Sequence, residues 1–233
     1  MKMYPLPRAT LLKSLGRRFC SLYAAENVLS DGNIKKTVQK FATMRPVKFK
    51  APMPAKKAAV LIPVCEIDGK VSLLYTLRAA SLRTHKGQVS FPGGRKDDTD
   101  ETLEHTALRE CYEELGINPN DILVWGSGNM LISRQETSVL PVVGQITKEI
   151  DPNKLKINKN EVDEVFTVPL EDLCDPKNLA HTQFKTGYTM PVFLGGKKRI
   201  WGLTGLITNI FLQSLLPPEA YTHNFKYFHR VLY

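Results

Sequence analysis

The stretch RECYEELG, residues 109–116, places three glutamates within five positions, directly after an arginine. The whole chain has a formal net charge of +9, so this concentration of acid runs against the overall charge. On a helix, where successive residues are about 100° apart, Glu110, Glu113 and Glu114 fall within an arc of about 100°. Glu110 and Glu114 then form a like-charge i,i+4 pair, which is mildly destabilising. Two interpretations are open: a solvated acidic face, or a site that binds a cation.

The acidic stretch is predicted to lie at the end of a helix over residues 102–115. Gly116 follows at the position of a left-handed C-cap. A separate arc of the same helix is predicted to face the core, formed by Leu108, Cys111, Tyr112 and Leu115. The three glutamates are therefore expected on one side of the helix, away from the core arc.

A glycine turn precedes this helix, in FPGG at residues 91–94. Gly93 and Gly94 allow positive φ and a close approach of the backbone to a ligand. Carboxylate oxygens combined with backbone carbonyls make a hard-oxygen site of the kind that suits Mg²⁺ or Mn²⁺. Such ions bridge phosphates and activate water. The pattern thus favours a metal site that acts on phosphates, with carboxylates on the metal and nearby Lys and Arg on the phosphate.

The segment GGRKDDTDETLEHTALRECYEELGI (93–117) resembles the Nudix box, the signature of hydrolases that cleave nucleoside diphosphates linked to another group. In the family pattern a glutamate is followed by seven residues and then Arg-Glu. Here Glu101 has that spacing from Arg109, and the pattern is completed by Glu110, Glu113, Glu114, Gly116 and Ile117. This combination of residues and spacings is specific to the family.

The segment departs from the general pattern in one detail. Six residues rather than five separate Gly94 from Glu101, and Arg95 stands where the general pattern has glycine. The coenzyme A diphosphatase branch of the family is similar in that detail, and its upstream signature resembles LLYTLRAASLRTHKGQVSFPGG (73–94). The similarity covers about residues 57–216 and is greatest to the mitochondrial member of that branch.

The resemblance implies an α/β protein with the Nudix fold, an α/β/α sandwich around a mixed β-sheet. It also implies cleavage of coenzyme A, dependent on Mg²⁺ or Mn²⁺, to 4′-phosphopantetheine and adenosine 3′,5′-bisphosphate, with acylated coenzyme A as a related substrate. Two alternatives stay open: a Nudix pyrophosphatase that acts on another nucleoside diphosphate derivative, such as NADH or an oxidised nucleotide, and a non-catalytic nucleotide-binding module.

The same resemblance assigns roles to individual residues. The expected metal ligands are Glu110 and Glu114, with Glu113 as a third or water-bridged ligand. Arg109 and Glu101 are expected to pair and to orient the helix. Candidates for the general base are Glu113, Glu161 and Glu164. The residues expected to bind substrate are Arg78, Arg83, Lys86, Gly93, Gly94 and Arg95.

Apolar patterning predicts the remaining elements. Strands are predicted at 58–67, 71–79, 88–91, 121–128, 140–146, 162–168, 188–194 and 198–203, and further helices at 170–173 and 204–216. DGK (68–70) and GGK (195–197) indicate hairpins. Thr204 is the predicted N-cap of the last helix. The order of elements suggests a mixed sheet packed between helices.

The ends of the chain differ in composition from the centre. Residues 1–25 hold five Lys or Arg and no Asp or Glu, with apolar residues at helical spacing, which is typical of a mitochondrial leader. We therefore predict a leader at 1–29, a polar, Pro-containing linker at 30–56, the hydrolase domain at 57–216 and a tail at 217–233. The C-terminus FHRVLY is not a peroxisomal signal. These features predict the mitochondrial matrix.

Composition also limits the classes of metal, membrane and binding partner to be expected. The four cysteines lie far apart, without metal-site spacing, and are predicted to be free thiols. No apolar run reaches the roughly 18 residues of a transmembrane helix. The basic residues are scattered rather than arranged in a stripe with aromatics, so the expected partner is a small anionic molecule and not a nucleic acid. The sequence does not specify an oligomeric state.

Overall fold

The computed structural model describes residues 22–44, 56–82, 85–132, 137–183 and 189–223. Its helices are α1 (Ala25–Val28), α2 (Asp31–Thr43), α3 (Leu103–Leu115), α4 (Leu170–Cys174) and α5 (Gly202–Leu215). Its strands are β1 (Lys56–Ile67), β2 (Lys70–Arg78), β3 (Val89–Ser90), β4 (Gly93–Arg95), β5 (Ile122–Ser127), β6 (Leu131–Ile132), β7 (Thr137–Ile146), β8 (Val162–Pro169), β9 (Leu179–Gln183) and β10 (Thr189–Phe193).

Eight of these strands form one mixed sheet. Its central path is β3-β2-β1-β7-β5; in addition β4 pairs with β1, β6 with β7, and β8 with β2. Strands β1 and β7 are parallel, whereas the other pairs are antiparallel. β1 reads as a nearly continuous apolar run because both of its faces are covered, as expected for a central strand. The α/β class and the mixed sheet are confirmed.

A hydrophobic cluster lies on each face of the sheet. One contains Ala107, Cys111 and Leu115 of α3, packed against β1 and β7. The other contains Phe211 and Leu212 of α5, together with residues of α1 and α2. The sheet is therefore enclosed between α3 on one side and α5 with α2 on the other, which is the α/β/α sandwich that the sequence predicts.

Helix α3 begins and ends as predicted. The side chain of Thr102 accepts a hydrogen bond from the His105 N–H, and Gly116 is left-handed with φ of 69°. The buried arc was predicted correctly for Cys111 and Leu115, which are buried, but wrongly for Tyr112, which is 54% exposed. Glu114, which was expected outside this arc, is buried. The helix is therefore rotated about its axis so that Glu114, rather than Tyr112, turns toward the sheet.

The predicted linker is wrong for residues 31–43, which form α2. Ser30 caps this helix, and Phe41 packs edge-to-face against Phe211 at 5.9 Å between ring centroids. Asn129 donates a hydrogen bond to the Ala42 carbonyl at 2.8 Å. Because only two residues of α2 are buried, its apolar periodicity is too weak to be read from the sequence.

Residues assigned to the leader and the tail also join the core. The Tyr23 hydroxyl donates to the Ala220 carbonyl at 2.6 Å, and Val28 and Tyr221 are buried in the cluster on the α5 face. The leader prediction over 1–21 and the tail prediction over 224–233 lie outside the described residues. Within the described residues, none of the helices has the length and apolar character needed to cross a bilayer.

Two further details differ from the sequence prediction. Strand β10 pairs with β9, which was not predicted, while Ile200 contributes only an isolated bridge to Phe193. Helix α5 begins at Gly202 rather than after Thr204, whose hydroxyl instead donates to the Val89 carbonyl at 3.0 Å. The described cysteines, Cys65, Cys111 and Cys174, are buried free thiols as predicted.

If α2 is part of the core, truncating Phe41 should destabilise the protein. Phe41 is 2% exposed, so Phe41→Ala should lower the free energy of unfolding by about 3–5 kcal/mol. The matched control is Lys36→Ala on the exposed face of the same helix, which should stay within about 0.5 kcal/mol of the parent. Urea unfolding measures both. Equal stability of the two variants would show that this segment does not pack as described.

Candidate active site

Asp100 and Arg109 fasten helix α3 to the strand and loop before it. Arg109 Nε donates to Asp100 Oδ1 at 2.9 Å, and its Nη2 donates to Oδ2 at 2.9 Å. Asp100 Oδ2 also accepts from the Asp97 N–H and the Thr106 hydroxyl, each at 2.9 Å. Hydrogen bonds from Arg109 hold the pKa of the Asp100 carboxyl well below its usual range. The Asp100 carboxylate is therefore ionised, and its hydrogen bonds hold this turn in place.

The prediction that Arg109 pairs with Glu101 is wrong. Glu101 is exposed, and the carboxylates that contact Arg109 are those of Asp97, Asp100, Glu110 and Glu113. The sequence carried a signal for the correct residue: five residues separate Gly94 from Asp100, the spacing that the general family pattern expects before its acidic residue. The family's seven-residue spacing before Arg109 instead points to the neighbouring acid, Glu101.

Glu110 lies against the backbone of Gly94. A Cβ placed on Gly94 would stand 2.4 Å from the Glu110 Cδ, so no side chain fits there without displacing the carboxylate. Burial raises the pKa of Glu110, Arg109 opposes the rise, and the charges of Glu113 and Glu161 add to it. The glycine was predicted to lie in a turn; it lies in β4, paired with Ala59 of β1, so its position is fixed by the sheet.

Glu114 is the most buried acid of the helix, with its side chain 4% exposed. Its Oε2 has no hydrogen-bond partner among the described residues. Arg78 Nη1 lies 3.9 Å from its Oε1, within ion-pair range but beyond hydrogen-bond distance. Burial is the largest effect raising the pKa of Glu114 to about 8, and the charges of Glu110 and Glu161 add to the rise. Arg78 and the backbone N–H of Gly93 lower it.

Glu113 does not join these two carboxylates. Its side chain is 49% exposed, and its Oε2 accepts a hydrogen bond from Arg109 Nη1 at 3.0 Å. Among the described residues, no three His, Cys, Asp or Glu side chains converge closely enough to hold a metal ion together. The pair that the structure does bring together is Glu110 and Glu114, and a ligand role for Glu113 stays a prediction.

The other two candidates for the general base lie in different surroundings. Glu161 precedes β8, its carbonyl accepts the Ala79 N–H at 2.9 Å, and its charge acts on both Glu110 and Glu114. Glu164 lies on the same face of β8 as Phe166 and Val168, which belong to the cluster on the α5 face, and it forms an ion pair with Lys197. Of the two, Glu161 is next to the acidic pair and Glu164 is directed away from it.

The predicted substrate-binding cations are dispersed. Arg78 ends β2 beside Glu114, with its side chain 24% exposed. Lys86 and Arg95 are exposed, and the Arg95 carbonyl accepts from Arg109 Nη2 at 3.0 Å. Arg83 lies outside the described residues. Arg78 is the one of these cations that the structure places in contact with the acidic pair.

The residues present fit a divalent cation. Glu114 is almost fully buried and has an unpartnered oxygen, and the charge of Glu110 raises its pKa. Arg78 at 3.9 Å compensates the charge of Glu114 incompletely, while Arg109 lies 3.2 Å from Glu110. Buried charges are unfavourable unless they are paired or coordinate a metal. Hard carboxylate oxygens suit Mg²⁺ or Mn²⁺. Two carboxylate donors that suit such an ion, Glu110 and Glu114, therefore lie together on α3.

Comparisons with known proteins identify the family of this chain. Residues 55–188 match the family model for the NUDIX domain. The human protein named mitochondrial coenzyme A diphosphatase NUDT8 is 47% identical over 165 residues, covering 69% of this chain and 70% of the relative. Nudix hydrolase 3 of Caenorhabditis elegans is 39% identical over 183 residues, covering 71% and 75%. A solved MutT/nudix family protein from Enterococcus faecalis is 15% identical with a TM-score of 0.43, covering 78% and 72%.

Removing the Asp100 carboxylate should destabilise the fold. Asp100→Asn leaves the Arg109 guanidinium without its closest counter-charge, and breaking such a buried pair costs roughly 3 kcal/mol. The matched control is Glu101→Gln, the same chemical change on the neighbouring exposed acid, which should stay within about 0.5 kcal/mol. Urea unfolding of both variants at pH 7 makes the comparison. A larger loss for Glu101→Gln would restore the pairing that the sequence predicted.

The stabilisation by Asp100 should also depend on pH. Because the folded-state pKa of Asp100 is depressed, its contribution is present above the unfolded value near 4 and is lost as the pH falls toward the folded value. The stability difference between the parent and Asp100→Asn should therefore be constant from pH 7 to pH 5 and shrink below about pH 4. A difference that grew on acidification would contradict the assignment.

Proposed function

Because the chain belongs to the Nudix hydrolase family, we propose that it hydrolyses the diphosphate bond of coenzyme A, of acyl-coenzyme A, or of both. The products would be adenosine 3′,5′-bisphosphate and 4′-phosphopantetheine or its acylated form. The observation that carries the proposal is the pair of carboxylates on α3, Glu110 and Glu114, turned toward the sheet and incompletely compensated. The names of the human and mouse relatives support coenzyme A as the substrate.

Nudix hydrolases depend on divalent metal ions, and we infer that Mg²⁺ or Mn²⁺ serves here. Glu110 and Glu114 would hold the ion, and Glu113 would contribute from the exposed side. When bound, the ion supplies charge neutralisation on the diphosphate oxygens and polarisation of the attacking water. Arg109 keeps the two carboxylates in position through its bonds to Asp100 and to the Arg95 carbonyl.

The remaining chemistry falls to side chains around the pair. Attack of water on one phosphorus forms a P–O bond, breaks the bridging P–O bond and releases one proton. Glu161 is our choice as the acceptor of that proton, because its charge reaches both ligands, whereas Glu164 is paired with Lys197 on the other face. Arg78, which lies beside Glu114, is our choice of cation for a diphosphate oxygen.

We also propose a mitochondrial location, in the matrix. The human and mouse relatives are named mitochondrial, and the first 25 residues are basic and free of acid. A small anionic substrate suits the net charge of +9. The absence of a nucleic-acid partner stays a prediction from the scattered arrangement of the basic residues.

Product analysis tests the proposed function directly. Purified protein with coenzyme A and Mg²⁺ or Mn²⁺ should release adenosine 3′,5′-bisphosphate, detected by chromatography and mass, and excess chelator should stop the release. Parallel reactions with acyl-coenzyme A, dephospho-coenzyme A, NADH and 8-oxo-dGTP separate the substrate alternatives. Faster turnover of NADH or 8-oxo-dGTP than of coenzyme A would overturn the substrate assignment, and no turnover of any of them would favour the binding module.

The ligand assignment predicts a large effect of one substitution. Glu110→Gln keeps the shape of the side chain but removes the charge, so kcat should fall by about two orders of magnitude or more. The matched control is Glu104→Gln in the first turn of the same helix, which should leave kcat close to that of the parent. Circular dichroism checks that both variants are folded. Near-normal turnover of Glu110→Gln would refute Glu110 as a ligand.

A further inference from the structure

Arg78 is held at the end of β2 by its backbone, with its side chain on the same side of the sheet as α3. Its N–H donates to the Gln88 carbonyl at 3.0 Å, and its carbonyl accepts the Gly87 N–H at 3.0 Å. The neighbouring Ala79 N–H donates to the Glu161 carbonyl at 2.9 Å. The guanidinium is therefore carried to the acidic pair by a rigid strand end rather than by a mobile loop.

The contact that Arg78 makes there is incomplete on both sides. Its Nη1 lies 3.9 Å from Glu114 Oε1, which is too long for a hydrogen bond. Among the described residues, Arg78 Nε is buried without an acceptor and Glu114 Oε2 is buried without a donor. A structural ion pair of this burial would be expected to close into a short, bidentate contact. This pair instead leaves hydrogen-bonding capacity unused on each partner.

Arg78 is the only basic side chain of the described residues within 4.0 Å of Glu114. The second cation near the helix, Arg109, is fully engaged with Asp100, Glu110, Glu113 and the Arg95 carbonyl. Arg78 is thus the available counter-charge for the most buried ligand, and it shares the oxygen-lined space that a divalent ion would enter.

We propose that Arg78 is a resting counter-ion: it balances Glu114 before the metal binds, and it passes to a diphosphate oxygen of the substrate once the metal has taken over Glu114. The inference rests on the proposed function, because it needs both a metal and a phosphate. It assigns Arg78 two partners in succession, with its unused Nε and Nη groups able to form the bidentate contact that phosphate favours.

Two opposite effects follow from this exchange. Before substrate binds, Arg78 and the metal compete for the same negative charge, so the guanidinium weakens metal binding. After the metal binds, Arg78 favours the substrate. A residue that merely supported the shape of the site would, when removed, weaken both the metal and the substrate. The sign of the change in metal affinity therefore distinguishes the two roles.

The test is a Mn²⁺ titration of the full-length protein without substrate, followed by electron paramagnetic resonance of free Mn²⁺. Arg78→Ala should bind Mn²⁺ about tenfold more tightly than the parent, the scale of an ordinary coupling between sites. Arg78→Lys, which keeps the charge, should stay near the parent. At saturating Mn²⁺, Arg78→Ala should raise KM for coenzyme A by about tenfold or more, since a charged hydrogen bond is lost.

The matched control is Arg199→Ala, which removes the same charge from an exposed position. Its Mn²⁺ affinity should change by less than about twofold, because solvent and salt screen an exposed charge. If the parent binds Mn²⁺ and folded Arg78→Ala binds it equally or more weakly, the counter-ion role of Arg78 is overturned. The proposed function would remain intact. A parent protein that binds no Mn²⁺ would overturn both.

Discussion

The arrangement of the site depends on the hydrogen bonds that the Asp100 carboxylate accepts. It is 2% exposed and accepts two bonds from Arg109, one from the Thr106 hydroxyl and one from the Asp97 N–H. These bonds tie the first turns of α3 to the loop that follows β4. Since β4 is paired with β1 at the centre of the sheet, the rotation and height of α3 are set relative to the core. The positions of Glu110 and Glu114 depend on this attachment.

That attachment makes the helix turn an acidic side inward, which is unfavourable in isolation. A carboxyl whose pKa is raised by burial, as in Glu114, weakens the folded state when it is ionised, at any pH above its unfolded value near 4.3. Gly94 adds to the constraint, because the Glu110 carboxylate fills the space where a Cβ would stand. A cation bound between these oxygens would offset the repulsion. Local instability of this kind is a feature of functional sites, where the rest of the fold over-determines the geometry.

The sequence was sufficient for the parts of the molecule that depend on local pattern. The helix that ends at Leu115, its Gly116 C-cap and the central strands were all visible as periodicity and a capping residue. The sequence did not determine the rotation of the helix about its axis. Tyr112 was expected to be buried and is exposed, because the apolar pattern alone did not show that Glu114 lies in the buried arc. The choice between the adjacent acids Asp100 and Glu101 depended equally on which one the turn directs inward.

The same limitation applied to segments whose packing is long-range. Helix α2 buries only Thr37 and Phe41, so its sequence looked like a polar linker, and its role appears only where Phe41 meets Phe211 about 170 residues away. Strand β9 was missed because its partner, β10, was assigned to a different hairpin. Elements that are stabilised by one or two distant contacts leave little periodic signal, whatever their contribution to the folded state.

The packing of residues 22–44 also constrains the proposed mitochondrial leader. The Tyr23 hydroxyl bonds to the Ala220 carbonyl, and Val28 is 1% exposed within the cluster on the α5 face. Removal of a leader that extended to residue 29, as the composition suggested, would delete both contacts and uncover part of that cluster. A cleavage that preserved the fold would therefore have to fall before Leu22. Residues 22–25 belong both to the basic, acid-free segment that indicates targeting and to the segment whose contacts complete the core. The packing therefore sets the C-terminal limit of a removable leader.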